Sequence, residues 1–101
     1  MYMFQNLFKK TDYKKLLEDG AIVIDVRNPG EFSMGALPGS ENIPLATLGG
    51  RVNQIKERKV AVICVCASGM RSGIAKGQLK SAGIEAYNAG AWTKLIFSHF
   101  E

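Results

Sequence analysis

The stretch that decides the fold is V-I-C-V-C-A-S-G-M-R-S, residues 62–72. It begins as an apolar run rich in β-branched residues, which is typical of a strand covered on both faces. The run stops at Cys66, and small residues then lead to Arg71 and a helical pattern. Because ligands of open α/β folds gather at the carboxyl ends of parallel strands, the sequence predicts a functional site at this cysteine.

Strand-like and helix-like segments alternate through the rest of the chain, which predicts an α/β domain with a mostly parallel sheet. The 101 residues suffice for one domain, spanning residues 1–101, with a single modest core. Residues 1–10 are expected to form either an edge strand or a loose arm. The predicted helices cover residues 11–20, 45–59, 72–82 and 91–100, and the predicted strands cover residues 21–26, 42–44, 60–65 and 84–87.

Local signals predict the ends and the buried faces of these helices. Thr11 is expected to cap the first helix, and Gly20 to end it in a left-handed conformation. Gly49 and Gly50 interrupt the second helical pattern near its start. Apolar residues at helical spacing are expected to face the core: Tyr13, Leu16, Leu17, Val52, Ile55, Ile74, Ala75, Leu79, Ala82, Trp92, Leu95, Ile96 and Phe100.

Charge and hydropathy argue against several kinds of protein. The chain carries 13 Lys and Arg against 9 Asp and Glu, a net charge of +4, and these bases are scattered without interleaved aromatics. We therefore expect no nucleic-acid partner. No apolar run approaches the ~20 residues that span a bilayer, so no membrane partner is expected. The lysines near the start follow the apolar residues, unlike a signal peptide, and a cytoplasmic location is predicted.

Cys64 and Cys66 are the only cysteines of the chain. In a strand they point to the same face, where disulfide geometry is rarely reached without distortion. Two thiols do not make a zinc site, and the lone His99 is far away in sequence. Free thiols suit a reducing compartment. Cys64 is predicted to pack in the core, the alternative being a resolving thiol for an oxidised Cys66.

The loop after Cys66 has the composition of an anion-binding nest. Ala67 and Ser68 are small, and Gly69 can adopt positive φ, so successive N–H groups can curl around the thiol. The amino end of the next helix and Arg71 add positive charge. These effects favour the thiolate and lower the cysteine pKa. The alternative for Cys66 is a small buried apolar residue.

The spacing of the loop distinguishes between two chemistries. Four residues separate Cys66 from Arg71, whereas protein tyrosine phosphatases have five. A tetrahedral phosphate needs a wide cradle, and one sulfur atom on a thiolate needs a smaller one. The shorter loop therefore favours a persulfide over a phosphate.

With these motifs, the sequence resembles the rhodanese-like domain family. The loop C-A-S-G-M-R-S matches the active-site pattern of the family: Cys, two variable residues, Gly, one variable residue, Arg and Ser. The other matching blocks, in the family order, are Asp25-Val26-Arg27, Glu31-Phe32, Gly35, Leu37-Pro38-Gly39-Ser40, Asn42-Ile43-Pro44 and Gly90-Ala91-Trp92. The resemblance extends over roughly residues 11–97.

The resemblance implies a three-layer domain with a largely parallel five-stranded sheet flanked by helices. It implies a sulfurtransferase in which Cys66 takes a sulfane sulfur from thiosulfate or a persulfide and passes it to cyanide, a thiol or a protein thiol. No cofactor and no metal are expected. The residues that would bind the persulfide are Ala67, Ser68, Gly69, Met70, Arg71 and Ser72, and those that would support the site structurally are Asp25, Arg27 and Glu31.

The sequence allows two interpretations for several of these residues. Ser68 donates to the persulfide or only shapes the loop, and Arg71 attracts the donor or forms an ion pair within the fold, for instance with Glu31. Ala36 replaces the histidine that is usual in the family, and the apolar Met70 stands where a charged residue would help to bind thiosulfate. A persulfide or protein thiol is thus an alternative donor. The alternative functions are a non-catalytic regulatory module and a phosphatase or arsenate reductase of the same fold.

Overall fold

The structure, a computed structural model, describes residues 10–95. Predictions that concern residues 1–9, or Ile96, His99 and Phe100, lie outside the described residues. The helices are α1 (Tyr13–Glu18), α2 (Pro29–Ser33), α3 (Leu45–Leu48), α4 (Val52–Glu57) and α5 (Met70–Ser81), with a 3₁₀ turn at Gly49–Arg51, and residues 92–95 are also helical. The strands are β1 (Ile22–Asp25), β2 (Glu41–Asn42), β3 (Val62–Cys66) and β4 (Ala86–Ala91).

The strands form one sheet in the order β2-β1-β3-β4, and every neighbouring pair is parallel. The described residues therefore contain four strands, where the family resemblance implied five. Strand β3 pairs with β1 from Ile22–Val62 to Asp25–Val65 and with β4 on its other side. Since parallel neighbours need crossover connections, helices must cover the sheet. The predicted α/β class with a parallel sheet is confirmed.

Two apolar clusters cover the two faces of the sheet, and β3 contributes to both. All five residues of β3 are buried, as the apolar run predicted. Alternate positions point to opposite faces. Residues Val62, Cys64 and Cys66 of β3 pack with Leu48, Ile55, Ala75 and Leu79 from the helices, and Ile63 and Val65 pack with Tyr13, Leu16, Leu17, Trp92 and Leu95 on the other face.

The structure corrects the prediction for the start of α1. Asp12, not Thr11, is the N-cap, and its carboxylate accepts the Lys15 N–H at 3.0 Å. A carboxylate at this position satisfies a free N–H and also complements the helix dipole. At the other end Gly20 has a φ of 104°, the left-handed conformation that was predicted.

The strands and the face of α5 also differ from the prediction. Strand β4 covers Ala86–Ala91 rather than residues 84–87, and β2 is Glu41–Asn42 rather than residues 42–44. Ile74 was expected in the core but is 56% exposed. The buried face of α5 is set by Ser72, Ala75 and Leu79, and adjacent helical residues point about 100° apart. Ile74 therefore turns outward.

A buried ion pair joins the end of β1 to the loop that follows it. Asp25 is fully buried and Arg27 is 5% exposed. The Arg27 Nη2 lies 2.8 Å from Oδ2 of Asp25 and donates to the Gly35 carbonyl at 2.7 Å. The guanidinium also lies 4.9 Å from the ring centroid of Trp92. Its partners thus connect the sheet, the loop after α2 and the helical residues 92–95.

None of the helices within residues 10–95 is both long and apolar enough to cross a membrane.

We predict that Arg27→Ala lowers the free energy of unfolding by roughly 3–5 kcal/mol, because it leaves the Asp25 carboxylate buried without its partner. Urea denaturation measures this. The matched control is Arg58→Ala, which breaks the exposed Arg58–Glu41 pair and should change the free energy by less than about 1 kcal/mol. Equal effects of the two substitutions would contradict the structural role of the buried pair.

Candidate active site

The Cys66 sulfur lies at the carboxyl end of β3, where the loop curls back over it. The residue is 1% exposed. The Gly69 N–H donates to Sγ at 3.0 Å and the Ser72 N–H at 3.4 Å, and the Ser72 Oγ lies 3.3 Å from the same sulfur. Gly69 has a φ of 102°, so it takes the conformation that the sequence predicted for this glycine. The loop therefore directs N–H groups at one atom, as an anion nest does.

These hydrogen bonds decide the protonation of the thiol. Burial by itself would raise the pKa of Cys66. The hydroxyl and N–H of Ser72, with the N–H groups of Gly69 and Ser68, outweigh burial and lower the pKa from 9.0 to about 7. Donors to the charged form of a group favour that form. A large fraction of Cys66 is thus thiolate near neutral pH.

Cys64 has the opposite environment, although it points to the same face. Burial raises the pKa of its thiol to about 12, and the side chain packs among apolar residues of the core. Both cysteines are free thiols. A neutral buried thiol is a poor nucleophile, so the contacts agree with the predicted core role of Cys64.

Arg71 forms the ion pair that the sequence left as one of two options. Its Nη1 lies 2.6 Å from Oε1 of Glu31, and its Nη2 lies 3.0 Å from Oε2. Hydrogen bonds from Arg71, and then from the Asn28 N–H, lower the pKa of Glu31 to about 2. The guanidinium charge at the mouth of the site is therefore largely offset by a carboxylate.

The sequence did not predict a role for Asn88, which lies in β4. Its Oδ1 accepts from the Ser72 hydroxyl at 2.7 Å, and its Nδ2 donates to the Gly69 carbonyl at 3.0 Å. The predicted strand ended at Tyr87, before this residue, because Asn disfavours strands and favours turns. A polar side chain in a strand beside the Cys66 loop is the signal that would have identified it.

The other predicted residues lie around this cradle in different ways. Ala67 and Ser68 are exposed, and Met70, the first residue of α5, is 78% exposed. Glu31 contacts the Cys66 loop through Arg71. The Asp25–Arg27 ion pair instead stabilises the segment that follows β1, where Arg27 donates to the Gly35 carbonyl. Within residues 10–95, no three His, Cys, Asp or Glu side chains lie close enough together to hold a metal ion.

The family model of the rhodanese-like domain matches residues 9–94. This chain belongs to the rhodanese-like domain family. Among solved structures, a rhodanese-related protein from Thermoplasma volcanium is similar with a TM-score of 0.72 at 28% identity, covering 93% of this chain and 96% of that one. A rhodanese with anions from E. coli is similar with a TM-score of 0.67 at 32% identity, covering 73% and 89%.

Similarity also extends to part of a larger protein. A tRNA 2-selenouridine synthase from Shewanella woodyi is 34% identical over 98 residues, which are 96% of this chain and 25% of that protein. The rhodanese-like domain thus spans about a quarter of the length of this relative.

We predict that iodoacetamide labels Cys66 much faster than Cys64 at pH 6.5. The rate at Cys66 should rise with pH and reach half its maximum near pH 7, because the thiolate forms as the proton leaves a group of pKa about 7. Peptide mapping by mass spectrometry separates the two sites. Glu31 stays ionised down to about pH 2, so this titration belongs to the cysteine. Equally slow labelling of both thiols would refute an activated Cys66.

Proposed function

We propose that this rhodanese-like domain is a sulfurtransferase that carries a sulfane sulfur as a persulfide on Cys66. The observation that supports it best is the convergence of the Gly69 and Ser72 N–H groups on the Cys66 sulfur, at 3.0 and 3.4 Å. Such fixed dipoles stabilise negative charge on sulfur as an oxyanion hole stabilises it on oxygen. The membership of the family and the short loop point to the same chemistry.

The proposed reaction has two displacement steps. The Cys66 thiolate attacks the outer sulfur of thiosulfate, the S–S bond of the donor breaks, and sulfite leaves with the bonding electrons. The product is a Cys66 persulfide whose terminal sulfur carries the negative charge. An acceptor, cyanide or a thiolate, then attacks this terminal sulfur and Cys66 leaves as the thiolate. Covalent catalysis divides one difficult transfer into two easier ones.

The surroundings of the loop favour a donor with less charge than thiosulfate. The Arg71 guanidinium is engaged by both carboxylate oxygens of Glu31, so little positive charge remains for a dianion. Beside it Met70 exposes 78% of its surface and offers an apolar contact. We propose a persulfide, carried by a small thiol or a protein thiol, as the preferred donor, with thiosulfate as a weaker one.

The other candidate functions have less support. A phosphatase or arsenate reductase would need a wider cradle than the four residues between Cys66 and Arg71 form. A purely regulatory module has no need of a cysteine whose pKa is lowered to about 7. The similarity to a tRNA 2-selenouridine synthase covers only 25% of that protein, which supports a shared domain rather than a shared reaction on tRNA.

We predict that the protein gains the mass of one sulfur atom after incubation with thiosulfate or glutathione persulfide, and that cyanide removes it. Intact-protein mass spectrometry measures this. Cys66→Ser should abolish the gain, whereas Cys64→Ala should retain it, since Cys64 lies in the core. Failure of the wild type with both donors would refute the sulfurtransferase and favour a binding module. Hydrolysis of an aryl phosphate would favour the phosphatase.

We also predict that Met70→Lys raises kcat/KM for thiosulfate about fivefold at low salt, with little change for glutathione persulfide. One ammonium group near a surface anion is worth about 1 kcal/mol, and salt screens it. Ile74→Lys is the matched control, because it adds the same charge one turn along α5 at another exposed position. Equal gains in the two variants, or an equal gain for both donors, would contradict the proposed donor preference.

A further inference from the structure

The Asn88 carboxamide lies directly behind the cradle and contacts both residues whose N–H groups hold the sulfur at 3.0 and 3.4 Å. Nδ2 donates to the Gly69 carbonyl at 3.0 Å, and Oδ1 accepts from the Ser72 hydroxyl at 2.7 Å. None of these bonds joins Asn88 to the Cys66 sulfur itself. We propose that Asn88 is a positioning residue for Cys66, acting through Gly69 and Ser72.

The hydrogen bonds leave only one orientation for this carboxamide. The Gly90 N–H also donates to Oδ1, at 2.9 Å, so this side of the amide must be the acceptor. The Gly69 carbonyl requires a donor on the other side. A rotation by 180° would place two donors together and two acceptors together. The Asn88 carboxamide therefore has one fixed orientation, and its hydrogen bonds restrain Gly69 and Ser72 of the Cys66 loop.

The backbone around Asn88 is fixed as well. Strand β4 has a register shift here: Cys64 is opposite Asn88, but Val65 is opposite Gly90, so Ala89 is an extra residue. Such a bulge re-aims the side chains beside it. The Tyr13 hydroxyl holds the Asn88 carbonyl at 3.1 Å. The strand thus presents the carboxamide to the Cys66 loop before any substrate arrives.

The hydrogen bond from Ser72 to Asn88 competes with the bond by which the Ser72 hydroxyl stabilises the Cys66 thiolate. Since Oδ1 can only accept, the single hydroxyl proton of Ser72 points to Asn88 in this bond, and Ser72 can then only accept from the Cys66 thiol. When Cys66 ionises, the hydroxyl turns its proton to the sulfur. Removing Asn88 would relieve this competition, but it would also loosen the loop N–H groups. The loosening affects two N–H groups that donate to the charged sulfur, whereas the competition comes from one neutral bond between Ser72 and Asn88. Hydrogen bonds to a charged group are roughly twice as strong as neutral ones. The loosening should therefore prevail, and the Cys66 pKa should rise.

The first experiment compares Asn88→Ala with Tyr87→Phe, a control in the same strand that removes the bond from the Tyr87 hydroxyl to the exposed Glu85 carboxylate. We expect Asn88→Ala to raise the Cys66 pKa by about one unit, which lowers the iodoacetamide rate at pH 6.5 about eightfold. Tyr87→Phe should leave the pH profile of alkylation unchanged. A folded Asn88→Ala protein with the wild-type Cys66 pKa would overturn the proposal, because a merely structural asparagine would alter stability alone.

A second pair of variants keeps the test decisive if Asn88→Ala does not fold. A Cβ added at Gly73 would lie 3.2 Å from Nδ2 of Asn88, whereas one added at Gly77 meets nothing within 4 Å. Both glycines are in α5, so both changes to Ala improve helix propensity. Gly73→Ala should displace the carboxamide and lower the iodoacetamide rate at pH 6.5 at least twofold relative to Gly77→Ala. Equal rates in the two variants would refute the positioning role.

The inference that Asn88 serves catalysis rests on the proposed sulfurtransferase function. Alkylation of Cys66 needs no sulfur donor, so it tests the positioning role separately from that function. If Asn88→Ala changes the alkylation profile and the wild type accepts no sulfur, the positioning role stands and the sulfurtransferase fails. If the wild type forms a persulfide and the profile of Asn88→Ala is unchanged, the sulfurtransferase stands and the positioning role fails.

Discussion

Parallel pairing of β3 with both of its neighbours is the constraint on which the rest of the structure depends. A parallel strand in the interior of a sheet must be covered on both faces, which explains why all five of its residues are buried. Parallel strands also end at the same edge. The loops after β1 and β3 and the bulge of β4 therefore meet there, and Arg27, Gly69 and Asn88 come close to one site although they are far apart in sequence.

At that edge the charge on sulfur is stabilised mainly by dipoles. The nearest cationic side chain of the loop, Arg71, is paired with Glu31 through both carboxylate oxygens. The N–H groups of Gly69 and Ser72 remain as the close partners of Cys66. Fixed dipoles discriminate less between donors of different charge than a free guanidinium would. Helix α2 therefore bears on the proposed class of donor, because it places Glu31 where the carboxylate neutralises the Arg71 charge.

Much of the fold could be predicted from the sequence because burial leaves a strong pattern. The apolar run of β3, the helical spacing of Tyr13, Leu16 and Leu17, and the stop at Gly20 are all found as expected. The errors arise where local preference competes with packing. Ile74 is apolar enough for the core, but the buried face of α5 is set by Ala75 and Leu79. Strand β4 continues beyond Tyr87 because its pairing with β3 and its bulge stabilise residues of low strand preference.

The sequence by itself determined which cysteine the candidate site is built around and the shape of its loop. A cysteine that ends a buried strand, small residues after it and a glycine able to adopt positive φ are local features, and local features can be read along the chain. Only the tertiary structure decided which distant groups serve that cysteine. Asn88 reaches Gly69 and Ser72 through the β3–β4 register, and Glu31 reaches Arg71 across 40 positions of sequence. Such partners depend on which strands are neighbours and in which register, and side-chain periodicity contains no record of either.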